Sequence, residues 1–165
     1  MSAVATQTRV HTETHTATHL ADIILGSLGD LLAYIGIDAS RFQRQFDQNE
    51  KAIAAWIEEG SLEEVVLECH RPAGDVRPIF EFPVTYGASE AGFVDSRAAF
   101  ARYLDKVSSV PSGTTYRLFC TFNGPRSEQY GWKSGTRAST DGLHSTSMGG
   151  LGEGPHARVS GRHLS

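Results

Sequence analysis

The feature that most limits the fold of this chain is its final third. From Asn123 onward the sequence is rich in Gly, Ser, Arg and His, with nine glycines between Gly124 and Gly161. Apolar residues are sparse there, among them Tyr130, Trp132, Leu143, Met148, Leu151 and Val159. Such a segment cannot bury enough apolar surface to offset its ordering entropy, so it cannot form a core of its own. It is expected to lie over the rest of the protein and to occupy more than one arrangement. Ordering runs of glycine is costly and reversible.

The preceding residues supply the core. Leu20, Ile24, Leu28, Leu31, Leu32 and Ile35 recur at three- and four-residue steps and share one helical face. Thr18 is a candidate cap, Asp22 falls in the first turn, and Gly36 is a candidate stop. Gly26 and Gly29 cost about 1 kcal/mol each against alanine, which suggests close packing of another backbone there. A second helix is predicted from Ser40 to Glu59, with Phe42, Phe46, Ile53, Trp56 and Ile57 as its stripe and Gly60 as its end. A third is predicted from Asp95 to Ser108, on Phe100, Tyr103, Leu104 and Val107.

Three strands interleave with these helices. In Leu62–His70, Val65, Leu67 and Cys69 face one way, and Glu64, Val66, Glu68 and His70 the other. After a Pro- and Gly-containing turn, Ile79–Tyr86 returns with Phe80, Phe82, Val84 and Tyr86 inward. Pro83 cannot donate to a ladder, which predicts an edge strand or a bulge. Thr114–Phe122 alternates Tyr116, Leu118, Cys120 and Phe122 on one parity. The N-terminus is different again. Residues 1–7 are expected to be disordered. Residues 8–19 alternate threonine and valine with Arg9, His11, Glu13, His15 and His19, which reads as an extended edge strand or stiff tail.

Chemistry-bearing patterns are few. His11, His15 and His19 stand four apart, a plausible metal face on a helix but widely spaced on a strand. A small metal protein or enzyme using these histidines is the alternative reading; the main one places no metal, no cofactor and no catalytic residue. G-G-L-G-E-G at 149–154 follows no predicted strand and precedes no helix, so it reads as flexible linker and not as a phosphate loop. Glu58, Glu59, Glu63 and Glu64 read as a solvated cluster at a helix end. Cys69 and Cys120 read as buried thiols, with a single disulfide or a reactive thiol left open. Trp132, alone in a Gly- and Ser-rich stretch, reads as an anchor for the mobile segment. The net charge of −4 argues against non-specific nucleic-acid binding. The N-terminus has no signal-peptide pattern, and Leu20–Ile37 is interrupted by Asp22, Gly26, Gly29 and Asp30, so neither secretion nor a membrane span is expected and the default compartment is the cytoplasm. A dimer formed by adding edge strands is a further possibility.

The stretch T-A-T-H-L-A-D-I-I-L-G-S-L-G-D-L-L-A-Y-I-G at 16–36, the strand Y-R-L-F-C-T-F-N at 116–123 and the aromatic Gly/Ser-rich tract after it resemble the HORMA domain, in its bacterial anti-phage branch. The resemblance implies an α+β fold, a mainly antiparallel sheet packed against three helices with a mobile C-terminal safety belt. It implies a flexible arm at 1–15, a core at 16–123, a belt at 124–156, and at 157–165 a flexible tail or a closure motif for a sister HORMA protein. The belt would close around a short closure-motif peptide added as a strand. Peptide contacts are then expected from Thr115, Arg117, Phe119 and Thr121 on the strand, from Phe100, Tyr103 and Leu104 on a third helix flooring the groove, and from Trp132. The implied partners are a CD-NTase cyclic-oligonucleotide synthase, activated by the closed form, and an AAA+ remodelling ATPase pulling on an arm that includes Thr6, Thr8 and Val10.

Overall fold

A computed structural model describes residues 3–87 and 92–165, with backbone alone for 3–11. Helix α1 runs Ala3–Ile35, α2 Ser40–Arg44, α3 Phe46–Glu58 and α4 Arg97–Tyr103, the last continued by a 3-10 turn at Leu104–Lys106. The strands are β1 Leu62–His70, β2 Val76–Tyr86, β3 Val94–Asp95, β4 Thr115–Phe122, β5 Ser145–Glu153 and β6 Ala157–Leu164. Among the described residues they form one antiparallel sheet in the order β3-β5-β6-β2-β1-β4. The fold is the α+β arrangement expected.

One face of the sheet carries the helices. Leu20, Ile24, Leu28, Leu31, Leu32 and Ile35 of α1 are fully buried, and share a core with Val65 and Leu67 of β1, Phe80 and Phe82 of β2, and Ile53 and Trp56 of α3. From Thr12 to Ile35 this helix is long and apolar enough to cross a bilayer by length and composition. Its apolar residues are instead consumed by the core. Gly36 and Gly60 end α1 and α3 at φ +92° and +77°, values that favour glycine.

Several expectations are corrected. Residues 8–19 are helical, so the threonines share no strand face and Thr18 lies inside α1. Their β-branched alternation yielded to the cooperativity of the long helix. The disorder expected over residues 1–7 is not what residues 3–7 show, since they open α1; residues 1–2 and the side chains of Thr6, Thr8 and Val10 fall outside the described residues. Gly26 and Gly29 accommodate side chains, Arg97 at one and Phe42 with Gln43 at the other, not a second backbone. The single helix expected over 40–59 breaks at Gln45, and the third helix is shorter than predicted. Strand β2 is interior. Its register with β6 is unbroken, and the ladder omits Phe82 and Pro83, where the missing N–H falls, so Pro83 needs neither an edge nor a bulge.

The largest correction concerns the C-terminus. Residues 149–153 are strand, not linker, with Gly154 opening the turn after them, and 157–164 form a strand between β2 and β5, not a tail. Glycine serves close packing here. A Cβ on Gly152 would stand 2.5 Å from Ile23 Cδ1, and one on Gly154 would stand 2.8 Å from Thr16 Cγ2. The β5–β6 hairpin therefore lies directly against α1. Register shifts at Met148 and Leu151 bend β5, and both of these side chains are buried in the helix-side core.

Candidate functional site

Strand β4 stands at the end of the sheet, bonded to β1 on one side and, among the described residues, to no strand on the other. An exposed strand edge is a template for a further strand. At about 3.4 Å per residue, its eight residues offer roughly 27 Å of edge. The geometry around that edge makes it a groove.

The helical wall comes from α2 and the start of α3. Phe42 meets Tyr116 edge-on at 6.4 Å between ring centres, and the Arg41 guanidinium lies 4.7 Å over the Tyr116 ring. The roof comes from the connector between β4 and β5, residues 123–144. Arg41, Phe42, Gln45 and Asn49 face Thr115–Phe119, Trp132 and Lys133 across a cavity of about 740 Å³. A second cavity, about 260 Å³, continues along Leu118–Phe122 beneath Arg126, Trp132 and Lys133. Trp132 borders both.

The connector is fastened on each side of this roof. At its start, Asn123 Nδ2 donates to the Gly60 carbonyl at 3.2 Å, and Trp56 Nε1 donates to the Ser127 carbonyl at 2.8 Å. The Ser127 amide donates to Glu59 Oε1 at 2.9 Å. Burial would raise the Glu59 carboxyl, but hydrogen bonds from Ser61 and Ser127 outweigh it and hold it below its ordinary value. Trp132 then stacks edge-on against Trp56 at 5.2 Å, and Trp56 against Phe122 at 4.9 Å. The anchoring role expected of Trp132 is what the geometry shows. Its indole N–H is buried without a hydrogen-bond partner.

Beyond Gly135 the connector crosses the sheet face that carries no helices. Arg137 Nη1 donates to Glu64 Oε1 at 2.8 Å, and its Nη2 donates to Glu81 Oε2 at 2.7 Å. Arg162 of β6 bridges the same two carboxylates at 2.9 and 3.0 Å. The Ala138 amide donates to Glu68 Oε2 at 2.7 Å. Leu143 packs with Val66, Ile79 and Leu164. Burial, reinforced by neighbouring Glu81, pushes the Glu64 carboxyl up against the pull of the two arginines. Burial opposes ionisation of Glu81 as well, yet hydrogen bonds from Arg137 and Arg162 hold it below its usual range. Glu64 was expected in a solvated cluster; it is buried and paired.

Of the residues expected to touch a peptide, Thr115, Arg117, Phe119 and Trp132 line the groove. Thr121 lies on β4 outside the lining, with its hydroxyl buried and unpartnered. Phe100, Tyr103 and Leu104 are placed elsewhere. α4 packs on β5 at the other end of the sheet, Phe100 against Phe82 and the Tyr103 hydroxyl on His163 Nδ1 at 3.0 Å. Helices α2 and α3 supply the groove wall instead. Arg41, Phe42, Gln45, Asn49 and Lys133 were missed. Phe42 had been read only as part of a core stripe, and no Gly or Pro marks the break at Gln45.

Among the described residues no three metal-ligating groups come together. His15 and His19 are on a helix after all, but a His19 ring nitrogen sits 3.0 Å from the Val94 carbonyl oxygen. Cys69 and Cys120 are free thiols; burial pushes Cys69 up to about 12 and raises Cys120 as well, which keeps both protonated. The groove presents aromatic rings, amides and cations, the equipment of a binding surface.

The family profile described as Bacterial HORMA domain 2 matches residues 3–161. The chain belongs to that family. HORMA domains are binding adaptors, and nothing in the comparisons points to a catalytic family. Solved structures share the HORMA fold at low identity. A chain of the mitotic checkpoint complex is 8% identical with a TM-score of 0.75, over 90% of this chain and 97% of that one. C. elegans HTP-1 bound to HTP-3 motif-1 is 12% identical with a TM-score of 0.69, over 88% of each. The E. coli MS115-1 HORMA:CdnC:Trip13 complex is 11% identical with a TM-score of 0.61, over 92% of this chain and 89% of that one. No curated protein sequence matches the chain.

Proposed function

We propose that this HORMA protein is a peptide-operated switch. The connector and the β5–β6 hairpin act as the safety belt, and a short closure-motif peptide adds to the free edge of β4 beneath Trp132 and Lys133. The observation that carries this reading is the roofed strand edge: β4 has an open side, and the chain that covers it is fastened at Ser127 before it and at Arg137 beyond it. The peptide-bound HTP-1 and HTP-2 structures share the fold, which supports the same mode of use. β-Augmentation supplies main-chain hydrogen bonds for affinity, and the flanking pockets supply selectivity.

In the closed form the domain engages a CD-NTase cyclic-oligonucleotide synthase in the cytoplasm, as part of anti-phage defence, and an AAA+ ATPase reopens it from the N-terminus. The E. coli complex containing HORMA, CdnC and Trip13 supports this assignment of partners. A sister HORMA protein would supply its own peptide. The C-terminal residues of this chain are committed to β6 and would have to leave the sheet to serve as one.

Hydrogen exchange on the full chain, with and without a selected peptide, tests the reading. Protection should rise at the outward amides of Thr115–Phe122 and at residues 131–135. The peptide-bound protein should then stimulate its operon's synthase. If no short peptide changes exchange along β4, the switch assignment fails.

A further inference from the structure

We infer that the peptide this groove takes is acidic, an extended segment with Asp or Glu side chains at two or more positions along its length. The inference rests on the assignment of the β4 groove as a peptide site and adds the chemistry of the ligand.

The lining is one-sided in charge. Arg41, Arg117 and Lys133 border the larger cavity, and Arg126 and Lys133 the smaller. No carboxylate lines either one. This contrasts with a chain whose formal net charge is −4. Elsewhere five arginines are matched to acids, Arg71 and Arg77 to Asp75, Arg97 to Asp22 and Asp95, and Arg137 and Arg162 to Glu64 and Glu81, while among the described residues Arg44, Arg102 and Arg158 stand unpaired but scattered. Among the described residues, Arg41, Arg117, Arg126 and Lys133 form no ion pair. Arg117 has Glu68 as its cross-strand neighbour but no ion pair with it; cations gathered around one slot repel each other, and a ligand carboxylate relieves that repulsion.

Two of the four are held in place without using up their charge. Arg41 lies on Tyr116, its Nε donating to the Tyr116 hydroxyl at 3.4 Å and its two Nη groups left for a carboxylate, and Arg126 lies 4.5 Å over Phe122 with its N–H edges left for a bidentate carboxylate. Tyr116 and Phe122 stand six residues apart on β4, about 20 Å along the strand. A bound strand would therefore meet a fixed cation near each end, with Arg117 and Lys133 between. The buried Trp132 N–H, which borders both cavities without a partner, adds one more donor in need of an acceptor. The same chemistry disfavours this chain's own C-terminal residues, because Arg158 and Arg162 would bring cations to cations.

The test is selection of a displayed random peptide library on the full-length protein, followed by anisotropy titration of the winners with wild type and with the exposed-site variants R117E and K133E, alone and combined. Circular dichroism confirms that each variant folds. Winners should be enriched in Asp and Glu and should bind more weakly as salt rises. The double variant should bind them about ten-fold or more weakly, and replacing the ligand's carboxylates by amides should do the same to wild type. Winners that are neutral or basic, or whose affinity ignores R117E/K133E, would overturn the acidic assignment while leaving peptide binding intact. A library that yields no binder sinks both.

Discussion

Arg137 is where the belt should be easiest to loosen without unfolding the domain. Its guanidinium bridges Glu64 and Glu81, whose side chains are only 11% and 9% exposed. Removing one partner of a fully buried ion pair costs about 3–5 kcal/mol, most of it from the carboxylate left behind. Here three features reduce the figure. Arg137 itself is 24% exposed, Arg162 still reaches both acids, and Arg137 Nε has no partner to lose. About 2 kcal/mol is the reasonable expectation for Arg137→Ala. If that loss falls on the belt alone, local opening becomes roughly 30-fold more frequent. Native-state hydrogen exchange reads it directly at the Ala138 amide, which donates to Glu68 and should lose protection by that factor. Amides of β1 and β2 should keep theirs. Because the four groups act together, Arg137→Ala and Glu81→Gln should be clearly non-additive. Unchanged exchange at Ala138, or an equal loss across the whole sheet, would refute the idea that this ion cluster is a local fastening.

Further predictions use other parts of the fold. Gly152→Ala should destabilise the protein by about 1–3 kcal/mol in urea melts, since the new Cβ meets Ile23 at 2.5 Å and the Val94 carbonyl oxygen at 3.2 Å. Trp132→Ala should release the belt near Trp56 and speed proteolysis between Ser127 and Gly135, with a loss of about 1–2 kcal/mol from the ring contact and its burial. His163, stacked on Phe80, has its pKa lowered by burial from an ordinary 6.5. The unfolded chain takes up this proton first, so stability should fall as pH drops from 6.5 toward the folded value, and His163→Gln should flatten that part of a pH-melt series. Glu81, lowered in the fold, contributes stability above its ordinary 4.5 that is lost as pH falls below it; Glu64, raised, has the opposite sign. Glu81→Gln should therefore cost more at neutral pH than Glu64→Gln.

Much of the core was legible because it obeys simple periods. The α1 stripe, the alternation in β1, β2 and β4, and the glycine stops at Gly36 and Gly60 need only neighbours in sequence to be read. The errors share a cause. At 8–19, alternating β-branched residues mimic a strand, but local preference is weak beside the cooperativity of a helix already nucleated in the core. At 149–161, glycine reads as looseness when in fact Gly152 and Gly154 make room for Ile23 and Thr16 on α1, some 130 residues away. Similarly, Glu64 and Glu81 look like ordinary surface acids until the fold brings Arg137 and Arg162 to them. The β4 edge could be named as a docking strand, but its wall could not. Which helix faces an edge depends on the sheet order, and nothing in residues 95–108 reveals that α4 lies at the opposite end.

The same packing links the two ends of the chain. Residue 16 of α1 touches Gly154, and residue 23 touches Gly152 and lies beneath β3 and β5. The β5–β6 hairpin carries the belt's far end and holds Arg162 against the Glu64–Glu81 pair. A force that draws α1 out from its N-terminus would first strip Thr16 and then Ile23 from the hairpin, leaving α4 as its remaining helical support while β1 and β4 keep their own ladder. The hairpin would be left with α4 and with β2, the latter in a ladder already interrupted at Phe82 and Pro83. On the proposed function, reopening from the N-terminus would therefore need no contact between the remodeller and the belt. It follows from where two glycines let a helix sit.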